Sequence, residues 1–92
     1  MNQTEQISEN LKILAEPTRL QILKLLLANK YLCVNAITCR LDVSQSTVSQ
    51  QLRILRQANL VLREKKAKYI HYSLNKTKVN DIMKLFNEFW EA

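Results

Sequence analysis

Residues 45–53 read QSTVSQQLR. Gln45, Ser46, Thr47, Ser49, Gln50 and Arg53 bring hydroxyl, amide and guanidinium groups together with no acid among them. A plain solvated helix face favours Glu, Lys and Ala instead. Short hydroxyls and amides supply paired donors and acceptors, which is the chemistry that reads base edges in a DNA major groove. Gln bonds adenine at N6 and N7, Ser and Thr reach several edges, and Arg bonds guanine or phosphate. A carboxylate there would repel phosphate. Val48, Leu52 and Leu55, with Ile54 beside them, recur at helical spacing, so the polar set forms one face of an amphipathic helix.

The flanking segments show how such a helix would be held. Asp42 breaks a preceding helix near 34–41, and Ser44 is a good N-cap for the next. That is helix, short turn, helix, with the second helix expected over 45–58. It should stop near Asn59, because Asn ranks after Gly at the left-handed position past a helix end. The chain contains no glycine at all.

Upstream, Ile7, Leu11 and Leu14 predict a first helix over 4–15. Pro17 ends it and suits the first turn of a second helix, about 17–29. Leu20, Ile22, Leu23, Leu26 and Leu27 wrap that helix broadly, so it is expected to be central and buried. Downstream, Ile70, Tyr72 and Leu74 alternate with Tyr69, His71 and Ser73, a period of two. This predicts a β-hairpin over 61–73 with its tip at Lys65–Lys68. Lys76 to Trp90 forms a last helix with Val79, Ile82, Met83, Phe86, Phe89 and Trp90 on one side. The expected fold is mainly α with a small β-hairpin, in the order α-α-α-α-β-β-α. It is a winged helix-turn-helix, one domain over 1–92.

Charge is unevenly placed. Residues 40–78 hold nine Lys/Arg and two acids, whereas the remainder holds five Lys/Arg and six acids. The net +6 of the chain therefore belongs to the segment that contains the polar helix and the hairpin, and a polyanionic partner is expected there. A domain of this size buries only about 60–65% of its unfolded surface, so a partner subunit would help it. No apolar run approaches the roughly 20 residues that span a bilayer. The start, MNQTEQISEN, lacks the basic and apolar regions of a signal peptide, and a cytoplasmic location is expected. Neither a phosphate-binding glycine loop nor a Cys/His pair points to an enzyme, and no cofactor or small-molecule substrate is implied. Two rival readings are a winged-helix module for protein contact and an RNA binder. The first has no need of so basic a patch, and the second would show exposed aromatics for stacking, for which Tyr69 is the one candidate here.

The stretches LKILAEPTRLQILKLLL at 11–27, LDVSQSTVSQQLRILRQANLV at 41–61 and YIHYSL at 69–74 resemble the ArsR/SmtB family of winged-helix repressors along nearly the whole chain. The resemblance implies a homodimeric repressor of double-stranded DNA with an imperfect palindromic operator. It places Gln45, Ser46, Thr47, Ser49 and Gln50 on the reading face and puts Arg53 and Arg56 near phosphate. Arg63, Lys65, Lys66 and Lys68 fall in the wing, on the backbone or in the minor groove. It also implies dimerisation through the first and last helices, here Ile7, Leu11, Leu14, Phe86, Phe89 and Trp90. The family commonly has glycine at the wing tip and in the turn, where this chain has Ala67 and Asp42. Asp tolerates left-handed geometry, whereas Ala does so poorly.

Members of the family typically release DNA on a metal, metalloid or thiol-reactive signal. Cys33 matches the first cysteine of the familiar Cys-x-Cys site, and Asn35, a poor soft-metal ligand, replaces the second. The last helix offers Asp81 and Glu88 but no histidine. His71 is expected to face solvent or phosphate on the wing, far from Cys33. Cys33 and Cys39 lie six residues apart, about 9 Å of rise and roughly 240° of rotation along one helix. A disulfide needs Cα atoms within about 7 Å. No metal site is expected. Two ordinary thiols, a thiol-based signal at Cys33 and a metal or metalloid response remain as readings.

Overall fold

The structure, a computed structural model, describes residues 1–91. Its elements are α1 (Gln3–Leu14), α2 (Pro17–Ala28), α3 (Val34–Leu41), α4 (Gln45–Gln57), β1 (Val61–Lys66), β2 (Tyr69–Leu74) and α5 (Lys76–Trp90). This is the expected order, and each helix lies within a residue or two of its expected span.

Local chemistry sets the boundaries. The Asn2 side chain caps α1 by accepting from the Glu5 amide at 2.8 Å. Pro17 occupies the first turn of α2, and the Glu16 carboxylate accepts from the Arg19 amide at 3.0 Å. Ser44 caps α4, its Oγ accepting from the Thr47 amide at 3.1 Å. α4 ends in a Schellman turn, in which the Leu60 amide donates to the Leu55 carbonyl and the Asn59 amide to that of Arg56, both at 3.0 Å. Asn59 takes the left-handed conformation at φ 63°, and Leu55 and Leu60 are both buried, supplying the motif's hydrophobic contact. Asn75 secures this turn from the other side. Its amide and side-chain nitrogens donate to Leu60 and Asn59 carbonyls at 2.9 Å, while its Oδ1 caps α5.

One core unites the elements. Ile22 and Leu26 from α2, Ile37 from α3, Val48, Leu52 and Leu55 from α4, and Leu32, Leu60 and Val61 form a single buried cluster. Tyr72, Leu74, Val79 and Ile82 pack against it. No charged or polar residue is buried among the described residues. The apolar wrap of α2 is less buried than its sequence implies: Leu20 is 49% and Leu27 65% exposed, and Leu23 is half-buried. The domain is too thin to surround α2, so only the Ile22–Leu26 line reaches the centre.

β1 and β2 pair antiparallel from Val61 opposite Leu74 to Lys66 opposite Tyr69. Leu32 adds a third rung, exchanging backbone hydrogen bonds with Tyr72 at 2.9 and 2.8 Å. The hairpin loop is Ala67–Lys68, and only Ala67 has positive φ, 56°. That is the type II′ pattern, which glycine ordinarily fills. An alanine there costs roughly 1–2 kcal/mol in left-handed geometry. Ala67→Gly is therefore expected to raise the melting temperature by several degrees, as a gain of about 1 kcal/mol does in a domain of this size. An unchanged or lower melting temperature by circular dichroism would show that the tip is not strained.

Candidate nucleic-acid interface

Helix α4 is positioned from inside. Val48, Leu52 and Leu55 are almost wholly buried and fix the rotation of α4 about its axis. Successive residues turn by about 100°, so the line opposite that stripe is Ser46, Gln50, Arg53 and Gln57, all exposed. Gln45, Ser49 and Arg56 are exposed on one flank. Thr47 is half-buried on the other, and its Oγ1 accepts from Ser44 Oγ at 2.7 Å. Ser46 Oγ lies 3.2 Å from the same Ser44 oxygen. The first-turn hydroxyls thus hold one another and the cap, which preorganises that end of the helix. Gln57 was not among the expected reading residues. Its spacing from Gln50 and Arg53 marks it, because it falls one further turn along the same line.

The wing carries Arg63, Lys65, Lys66 and Lys68, all exposed. Directly opposed residues share a face, so the pairing puts Arg63 and Lys65 on the side of Tyr72 and Ile70, and Lys66 on the side of Tyr69. Lys66 Nζ is 3.8 Å from a Glu64 carboxylate oxygen, an exposed pair that contributes little and partly offsets its charge. Lys68 Nζ lies 5.7 Å from the centre of the exposed Tyr69 ring. Arg40, in the last turn of α3, and the exposed arginines of α4 extend the basic surface.

A capped, acid-free helix flanked by a basic hairpin is the architecture of a DNA-binding regulator, and comparison with known proteins agrees. Residues 16–62 match the model of the bacterial regulatory protein arsR family. The chain belongs to that family. It is 38% identical to an uncharacterized HTH-type transcriptional regulator of Methanocaldococcus jannaschii over 96% of this chain and 99% of that protein. It is 39% identical to the arsenical resistance operon repressor of Escherichia coli K12 over 88% of this chain and 69% of that one. The solved structure of HlyU from Vibrio cholerae N16961 aligns over the full length of both chains, with a TM-score of 0.76 and 35% identity. This arsR-family chain is a DNA-binding transcriptional regulator with a winged helix-turn-helix fold, and not an enzyme.

Outside the reading face, the sensor and assembly residues fall as follows. Cys33 is the half-buried N-cap residue of α3 and makes no side-chain cap bond, while Cys39 is exposed on the helix; both are free thiols. His71 is half-buried rather than fully open to solvent. Its ring stacks on Tyr31 at 4.2 Å, and its Nδ1 is buried with no hydrogen-bond partner among the described residues. Nor is it remote from Cys33, because the Leu32–Tyr72 bridge brings segment 31–33 alongside 71–73. Strand alternation within 69–74 does not reveal that third rung. Among the described residues, no three His, Cys, Asp or Glu side chains converge on a metal position.

The expected assembly residues divide. Ile7 is buried within its own chain, and Leu14 packs inward on the core. Leu11, Phe86, Phe89 and Trp90, with Ile7 at its floor, line an open cleft of about 500 Å³ between α1 and α5. Leu11 is 48% and Trp90 68% exposed. The Trp90 ring meets those of Phe86 and Phe89 edge-on at 5.9 and 5.0 Å.

Gln50→Ala is expected to weaken binding to the cognate operator by about 1–3 kcal/mol with little change on non-specific duplex. Thr47→Ala should do the same and also lower the melting temperature, since it removes the hydroxyl that accepts from the Ser44 side chain while leaving the capped amide in place. Lys66→Ala and Lys68→Ala should weaken both kinds of binding and flatten the salt slope by up to about one unit each. Operator preference that survives loss of Gln50 and Thr47 would place reading outside α4.

Proposed function

We propose that this regulator is a homodimeric repressor that places α4 in successive major grooves of an imperfect palindrome. Ser46, Thr47, Ser49, Gln50 and Gln45 read bases, Arg53 and Arg56 hold phosphates, and Arg63, Lys65, Lys66 and Lys68 of the wing lie on the backbone or in the adjacent minor groove. The observation that carries this reading is the outward line of Ser46, Gln50, Arg53 and Gln57 on a helix whose opposite face is locked into the core. No helix is long and apolar enough to cross a membrane among the described residues, and the cytoplasm, where the DNA lies, is the proposed location.

A shift assay separates the alternatives. Salt-sensitive preference for one duplex over its shuffled version is expected, with weaker binding of single-stranded RNA. Equal binding to all three would favour a protein-contact or general polyanion-binding role.

Dimerisation closes the cleft between α1 and α5, with Leu11, Phe86, Phe89 and Trp90 meeting their copies across a two-fold axis. Ile7 and Leu14 support that face from behind. The two reading helices then stand about 34–36 Å apart or a multiple of it. Sedimentation should show a dimer at micromolar concentration, and Leu11→Glu combined with Trp90→Glu should give a folded monomer. Native protein that sediments as a monomer yet binds a palindrome at full affinity would overturn this assembly.

Any signal acting through sulfur should act on Cys33, which begins α3 directly ahead of the turn and reading helix. Zinc is expected to leave DNA binding unchanged. A thiol oxidant, if it releases DNA, should lose its effect in Cys33→Ser and keep it in Cys39→Ser. Stoichiometric zinc binding that releases DNA, or an oxidant response that survives Cys33→Ser, would sink this assignment.

A further inference from the structure

Arg19 has more structural partners than its place in the first turn of α2 requires. Its backbone amide donates to the Glu16 carboxylate that caps α2. Its Nε donates to Gln51 Oε1 on α4 at 2.7 Å, and its Nη1 donates to the Ile13 carbonyl at 3.0 Å. Ile13 lies in the last turn of α1, whose carbonyls lack partners within the helix. One half-buried guanidinium therefore ties the end of α1, the start of α2 and the reading helix together. Its planar fork holds two acceptors at once, which a lysine's single ammonium does less rigidly.

Gln51 differs from its neighbour in what it does. Gln50 points outward, whereas Gln51, about 100° round the helix, is half-buried on the flank and engaged by Arg19. The buried stripe leaves α4 some freedom to roll or slide, because apolar contacts are not directional. A charge-assisted hydrogen bond on the flank removes that freedom.

We infer that Arg19 is a specificity-determining positioning residue: through Gln51 it fixes the roll of the reading helix against α1 without itself touching DNA. This rests on α4 being the reader. In a dimer joined through α1, the same bond sets each reading helix relative to the other, so its loss blurs operator choice rather than general attraction to DNA.

The test is a double-mutant cycle with an operator duplex selected by the native protein from a random-sequence pool, and its shuffled version. Arg19→Ala and Gln51→Ala should each lower operator affinity about tenfold, the order expected for a hydrogen bond to a charged group. The double variant should lose no more than either single one. Shuffled-duplex affinity and the salt slope should stay native. A slope flattened by about one unit in Arg19→Ala would mean direct phosphate contact and overturn the inference. Losses that multiply in the double variant would also overturn it. Should Arg19→Ala fail to fold, Gln51→Ala decides: an operator loss with an unshifted melting curve supports positioning, and no loss refutes it. Gln50→Ala separates the two levels. If it too leaves operator preference intact, α4 is not the reader. If it abolishes preference while Gln51→Ala does not, the positioning role alone is wrong.

Discussion

The burial of Val48, Leu52 and Leu55 against Ile22, Leu26 and Ile37 is the contact on which the rest of the molecule depends. It gives α4 one permitted rotation, so the outward residues are whatever lies opposite. Truncating one such leucine to alanine typically costs about 2–5 kcal/mol, a large share of the roughly 5–15 kcal/mol that holds a domain together. Stability and recognition therefore share a helix. The same stripe that makes the core also determines which side chains α4 turns outward.

Much of this architecture was legible because its signals are local. Ser44, Asn59 and Pro17 mark helix ends through their own backbone chemistry, and period two exposes the hairpin. What was illegible depends on elements meeting in space. Leu20 and Leu27 look like core because they are apolar, yet the described residues leave about half of Leu20 and more of Leu27 exposed. The pattern of Tyr69 to Leu74 shows two faces but not the rung contributed by Leu32, so the stacking of His71 on Tyr31 was missed. Helical phase turns Gln50 outward and Gln51 to the flank, but the partner that engages Gln51, Arg19, lies 32 residues earlier and leaves no local signal.

A chain without glycine must reach left-handed backbone by other means, and three solutions of unequal quality appear. Asp42 and Asn59 place short polar side chains there, a substitution that costs little. At Asn59 the turn is further secured by Asn75, which links the end of the reading helix to the start of α5. Ala67 has no such compensation, and it sits where the backbone is most exposed. Strain is thus confined to the wing tip, away from the contacts that hold the fold.

On α1 and α5, which pack together, the acids Glu5, Glu9, Asp81 and Glu88 balance Lys12, Lys76, Lys78 and Lys84, while α4 and the wing carry Arg53, Arg56, Arg63, Lys65, Lys66 and Lys68 against the single acid Glu64. An excess of positive charge on one side gives the chain an electric dipole. In the field of a polyanion a dipole experiences a torque, and it turns before any surface touches. The molecule therefore meets DNA with its reading side already leading, which shortens the orientational search that slows most associations. Charge placed this way governs how quickly a site is found, and in the proposed reading the hydrogen bonds of α4 govern how long it is kept.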